Sequence, residues 1–110
     1  MLELRASAGF KRDVKKCKKS HYDLEELNEV ISLIRENSAA TKRILAQRHN
    51  DHALKGRLSS LRECHIANAG DWILIYFLME AEGYVEFVAT GSHDDFFRER
   101  KSADRFKPYI

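Results

Sequence analysis

Five side chains able to carry protons, His52, Glu63, His65, Asp71 and His93, recur between residues 52 and 93 of this chain. An unperturbed imidazole has a pKa of about 6.5, so it can give or take a proton near neutrality. RNA is cut without metal when a base takes the 2′-OH proton and an acid protonates the leaving 5′-oxygen. A cation must also meet the charge that grows on the phosphorane, and Lys and Arg are interspersed through the same stretch. Glu63 and His65 are two apart in a segment that reads as a strand, so they share a face. A carboxylate beside an imidazole fixes its tautomer or raises its basicity. Asp71 opens the next apolar run and His93 follows the end of the one after it. The cluster therefore converges at one end of a sheet or on one open face.

Competing chemistries leave weaker marks. His49 and His52, three apart, together with His65, Asp71 and His93, offer ligand types for zinc or manganese. No H-E-x-x-H pattern constrains them, and the expectation is no metal and no cofactor. Neither a G-x-S-x-G elbow nor a glycine loop for phosphates occurs. Cys17 and Cys64 form no C-x-x-C knuckle and read as buried thiols in a reducing cytoplasm. His21 and His49 read as surface residues and Trp72 as core. Phe96 and Phe97 suit either core plugs or base-stacking platforms.

The elements that must hold this cluster are legible as an α+β pattern. Leu2 to Ala6 alternates like an edge strand. Ser7 can cap a helix with the apolar stripe Phe10, Val14 and Cys17. Asp23 with Glu26 resembles a capping box for a second helix bearing Leu24, Leu27, Val30, Ile31 and Ile34, ending at Asn37. Thr41 to Arg48 fits a short helix with Ile44 and Leu45 inward, or a loop. Leu58 to Ile66 reads as a strand, with Leu61, Glu63 and His65 on one face and Arg62, Cys64 and Ile66 on the other. Asn68 to Gly70 make a turn, Trp72 to Leu78 a central strand, and Tyr84 to Ala89 a third strand after Gly83. The expectation is one domain, residues 1–110, with a two-helix hairpin on one face of an antiparallel sheet and the other face partly open.

Composition permits this. At 110 residues the chain can bury one core. It is 44% hydrophobic and 33% charged, which excludes disordered and fibrous classes. Its longest apolar run, Trp72 to Met79, is too short to span a bilayer, and no membrane partner is expected. The net charge of +2 conceals an asymmetry. Residues 1–62 hold 14 Lys/Arg against 8 Asp/Glu, and residues 63–110 hold 5 against 9. Lys11, Arg12, Lys15, Lys16, Lys18 and Lys19 form the sharpest basic block. A second contains Lys42, Arg43, Arg48, Lys55, Arg57 and Arg62. Such stripes attract phosphate backbones.

The ordered motifs D-H-A-L-K-G (51–56), R-E-C-H (62–65), D-W-I-L-I-Y (71–76) and T-G-S-H (90–93) with Phe97 resemble those of the YafQ-type toxins of the RelE superfamily. The resemblance covers roughly residues 1–97. It implies a compact microbial-ribonuclease-like fold and a metal-independent, ribosome-dependent endoribonuclease acting on translated mRNA. It implies functional roles for His52, His65, Asp71, His93 and Phe97, with Glu63 as an acidic partner. A DinJ-like antitoxin, mRNA and the ribosome are the implied partners, and the cytoplasm the implied location. Lys11, Lys15 and Lys18 would meet ribosomal RNA.

Where the family often carries an arginine before T-G-x-H, this chain has Ala89. Lys55, Arg57 or Arg62 would then supply the cation, Lys55 first because Arg62 faces away from His65. The His65–Asp71 turn also looks longer than in the family, and residues 98–110 extend past its usual end. A toxin-fold module that binds antitoxin or RNA with weakened catalysis is the alternative function.

Overall fold

In a computed structural model, which describes residues 1–66, 70–97 and 103–110, the chain forms a five-stranded sheet with three helices on one face. The strands are β1 (Glu3–Ala6), β2 (His52–Ala53), β3 (Leu61–His65), β4 (Ile73–Met79) and β5 (Tyr84–Gly91). They lie in the order β1-β5-β4-β3-β2. β3, β4 and β5 form the expected antiparallel meander, β2 adds a short antiparallel strand that was not expected, and β1 joins β5 in parallel at the edge. The sheet is therefore mixed rather than wholly antiparallel. Parallel pairing needs a long crossover, and the helical segment between β1 and β2 is part of that connection.

The helices are α1 (Ala8–Lys19), α2 (Leu24–Glu36) and α3 (Ala39–His49). Ser7 accepts a hydrogen bond from the Phe10 N–H and starts α1, and Asn37 closes α2 in the left-handed region. Asp23 caps α2 through the Glu25 N–H, and the capping box lies elsewhere, between Ser38 and Thr41 at the start of α3. That box makes residues 39–49 a helix despite their polarity, with Leu45 buried and Ile44 half-buried. The three helices bury Phe10, Cys17, Leu27, Val30, Ile34 and Leu45 against Cys64, Ile66, Leu74, Tyr76 and Phe87 of the sheet side.

β3 is shorter than residues 58–66, because Gly56, at φ +63°, enters a 3-10 turn that takes up Leu58. The strand's parity holds nonetheless. Leu61 belongs to a second buried cluster with Ile73, Ile75, Val88 and Ala89, while Cys64 and Ile66 lie in the helix-side core. That second face is more covered than expected. A short helix α4 (His93–Phe97) and another, α5 (Ala103–Phe106), bring the buried rings of Phe96 and Phe106 onto it. Burying a Phe side chain stabilises a fold by roughly 1.5–3 kcal/mol, so Phe106 is integral to this face. Arg105 secures the segment by forking onto Asp13 at 3.1 and 2.7 Å and donating to the Val88 carbonyl at 2.9 Å. Tyr109 donates to Glu86, and burial with that carboxylate pushes its phenol up to about 12. Part of the expected Asn68–Gly70 turn, and residues 98–102 of the extension, lie outside the described residues.

Candidate active site

Sheet register assembles the site in two adjacent rows. His52 pairs with Glu63, Glu63 with Ile75, and Ile75 with Ala89. The next row runs from His65 through Ile73 to Gly91, two residues before His93. Glu63 sits between histidines: His52 Nε2 lies 2.9 Å from its Oε2 and His93 Nε2 lies 2.6 Å from its Oε1. The carboxylate is only 4% exposed, whereas both imidazoles are open to solvent on one side. The His93 approach is not aligned as a hydrogen bond, which leaves buried Oε1 without a directed donor. An unsatisfied buried oxygen costs about 1–3 kcal/mol, and such a group can be relieved by a ligand proton.

Asp71 holds the other edge of His93. Its Oδ1 accepts the His93 backbone N–H at 3.0 Å and lies 2.5 Å from Nδ1 of the ring. In the imidazolium form, His93 would therefore hold a carboxylate at each nitrogen. The backbone hydrogen bond, reinforced by the ring contact, keeps the Asp71 carboxyl below its ordinary value. A group depressed on folding stabilises the fold above its unfolded pKa, here about 3.9, and loses that contribution as pH falls through its lower folded value. Asp71→Asn should thus be less stable than the parent at pH 7, and urea titrations at falling pH should show the gap closing. A gap that widens in acid would contradict this pairing.

His65 stands beside this pair with its ring 5.4 Å from that of His93, and no described side chain hydrogen-bonds to it. Its carbonyl oxygen is 2.8 Å from His49 Nδ1, so His49 braces the strand end instead of standing free on the surface. His52 Nδ1 lies 2.6 Å from the Asn50 carbonyl, which orients its ring toward Glu63. Trp72 is buried and donates to Thr90 Oγ1 at 2.9 Å, fixing β4 to β5 where Asp71 and His93 must meet. Phe96 and Phe97 divide the two roles open to them: Phe96 is core, while Phe97 is 38% exposed with its ring 6.0 Å from His93.

The sequence-level cations are scattered. Lys55 and Arg57 are exposed at the β2–β3 connection. Arg62 lies across the sheet from His65, as parity requires, and its Nε donates to Asp51 at 3.0 Å. Asp51 also accepts from the buried Tyr76 hydroxyl, whose ionisation is pushed far up by burial and that carboxylate. Sequence reasoning missed this Asp51–Arg62–Tyr76 network, which holds the residue directly before His52. Arg62 and Tyr76 are cross-strand partners on the covered face and share Asp51 as their acceptor, a meeting that no spacing in the sequence announces. Lys11, Lys15 and Lys18 are exposed on α1, distinct in chain position from the histidine rows.

Glu63, His65 and His93 also place potential metal-ligand atoms within 4.8 Å of one another. Carboxylate and imidazole are suitable donors for a divalent transition metal, and modest closure would bring them to coordinating distance.

The fold is shared with known proteins. The family model described as "Bacterial toxin of type II toxin-antitoxin system, YafQ" matches residues 2–98. The chain belongs to this toxin family. A curated relative, the mRNA interferase toxin YafQ of Escherichia coli strain K12, is 30% identical over 95 residues, spanning 86% of this chain and 95% of its own. The crystal structure of the E. coli DinJ–YafQ complex superposes with a TM-score of 0.73 at 30% identity, covering 88% of this chain and 99% of that one. A copper-bound mutant toxin from Helicobacter pylori gives a TM-score of 0.76 at 33% identity, covering 88% and 100%.

Against other YafQ-type toxins, Ala89 now has a physical setting. It is fully buried in the cluster that contains Phe96 and Phe106. Ala89→Arg would force a long charged side chain into that packing. It is expected to destabilise the fold by about 3 kcal/mol in urea unfolding and to give no gain in cleavage. A faster enzyme of unchanged stability would show that the arginine position is still open.

Proposed function

We propose that this chain, an endoribonuclease of the mRNA interferase type, cuts translated mRNA on the ribosome by metal-independent acid–base catalysis. The observation that carries the reading is the continuous series of side-chain contacts among proton-handling groups, His52–Glu63–His93–Asp71, with the unencumbered His65 ring beside it. His65 takes the 2′-OH proton, because its ring is not engaged by a described side chain. His93, between two carboxylates, donates a proton to the departing 5′-oxygen. Attack of the 2′-oxygen on phosphorus then breaks the P–O5′ bond, giving a 2′,3′-cyclic phosphate and a 5′-OH.

Glu63 sets the spacing of the two flanking imidazoles, and His52, on the side of Glu63 away from His93, is the group placed to meet the charge that grows on the phosphorane. This moves the cation role from Lys55 to a group already within the row. Phe97 offers a base-stacking face beside His93, which base–aromatic contacts of about 1–3 kcal/mol make useful. The exposed lysines of α1 meet ribosomal RNA through its phosphates. A DinJ-like antitoxin is the proposed partner, on the precedent of the E. coli complex. The proposed place of action is the cytoplasm, where ribosomes are; among the described residues no helix is long and apolar enough to cross a membrane.

The test uses ribosomes programmed with a defined mRNA, with and without a chelator dosed to leave the ribosomes intact. Cleavage should persist in chelator and be far slower on the same mRNA without ribosomes. Loss of cutting in chelator, restored by added zinc or copper, would instead favour an ion held by Glu63, His65 and His93.

A further inference from the structure

The aromatic rings near the histidines form a continuous series that ends inside the C-terminal segment. His65 and His93 lie 5.4 Å apart between ring centroids, His93 and Phe97 6.0 Å, and Phe97 and Phe106 6.2 Å with planes at 30°. Only the last ring is wholly buried: Phe106 has no exposed surface, while Phe97 presents 38% of its own. Phe106 shares its buried cluster with Ile75 and Ala89, the inner members of the cross-sheet row that begins at His52 and Glu63. A large side chain at position 89 would compete for this volume. The small residue there and the buried ring belong to one packing solution.

The segment that carries Phe106 is fastened independently on both sides. Arg105 forks onto Asp13 of α1, and Tyr109 bonds to Glu86 while its ring lies 5.4 Å from that of Phe77. These ties fix the Phe106 ring from outside the histidine cluster. An exposed aromatic ring stacks a base well only if its orientation is held, since otherwise binding must pay the entropy of ordering it.

We propose that Phe106 is a positioning residue for the RNA substrate: it backs Phe97 and fixes the plane on which a nucleobase next to the cleaved phosphate stacks. Residues 104–110 are thereby one wall of the substrate site. This rests on the reading of Phe97 as a stacking face, and the two ideas fail separately.

A double-mutant cycle on programmed ribosomes tests it, with KM for the ribosome–mRNA complex and the saturated cleavage rate measured for Phe97→Ala, Phe106→Leu and the pair. Leucine keeps apolar bulk but removes the flat ring. Phe106→Leu should raise KM about three- to tenfold, with the saturated rate changed less than about twofold. In the pair, KM should be no higher than for Phe97→Ala alone, because the brace acts only through that ring. Independent, multiplying effects on KM, or no change in KM for Phe106→Leu, would overturn the proposal. If Phe97→Ala itself left KM unchanged, the stacking reading would fall first.

Should Phe106→Leu lose its cooperative unfolding transition, Tyr109→Phe replaces it in the cycle. That variant loosens the segment with Phe106 still present, and it should raise KM in the same non-additive way. Additivity there would overturn the proposal equally.

Discussion

His93→Ala is expected to slow cleavage on the ribosome by about 10²–10⁴-fold, the usual worth of a positioned general acid. The fold should tolerate the change. His93 has a side chain 40% exposed, and its backbone N–H to Asp71, which starts α4, survives the substitution. Unfolding free energy should therefore move by less than about 1 kcal/mol. A matching loss of rate and stability would make His93 a structural residue. His93→Gln refines the test, since glutamine can hydrogen-bond to Asp71 but cannot donate a proton as imidazolium does. It should keep parental stability and leave the rate low.

Asp51→Ala should do the opposite. Asp51 has a side chain 8% exposed and holds both Arg62 and the Tyr76 hydroxyl, which is itself buried. Removing it strands a guanidinium and a phenol on the helix-covered side of the sheet. Breaking a buried charged pair from one side costs about 3–5 kcal/mol, and Arg62's partial exposure argues for the lower end of that range. Urea unfolding should show a loss of about 3 kcal/mol, with Asp51→Asn recovering part because the amide oxygen still accepts. Below the unfolding transition, residual activity should also fall, because the residue before His52 loses its anchor. A variant with parental stability would remove this network from the account.

The contrast between the two variants reflects where each residue was legible. Glu63 and His65 announced themselves through period-two alternation; register sets Glu63 opposite His52, and a side-chain contact brings His93 to Glu63. Asp51 stood inside a quoted motif without a role, because its partners, Arg62 and Tyr76, meet it only through tertiary packing. The third helix was equally hard to read. Its start is a Ser38–Thr41 box, with threonine where glutamate or glutamine is the usual signal, and its exposed faces are polar.

Long-range pairing explains the remaining differences. Nothing local to Leu2–Ala6 specifies a parallel partner more than seventy residues downstream, yet β1 lies on β5. The charged composition of residues 98–110 likewise concealed Phe106, whose burial depends on the small Ala89 and on Asp13 and Glu86 as distant anchors. Ala89 read as a missing cation in the sequence. In the fold it is a packing position within the buried cluster that holds Phe96 and Phe106.

The most direct measurement of the central claim is the chemistry of the ends left on a translated mRNA. With the parent chain, new fragments should carry 5′-OH and 2′,3′-cyclic phosphate termini, and both should vanish with His65→Ala and with His93→Ala in folded protein. Fragments bearing 5′-phosphates, or cutting that survives both substitutions, would contradict the acid–base account.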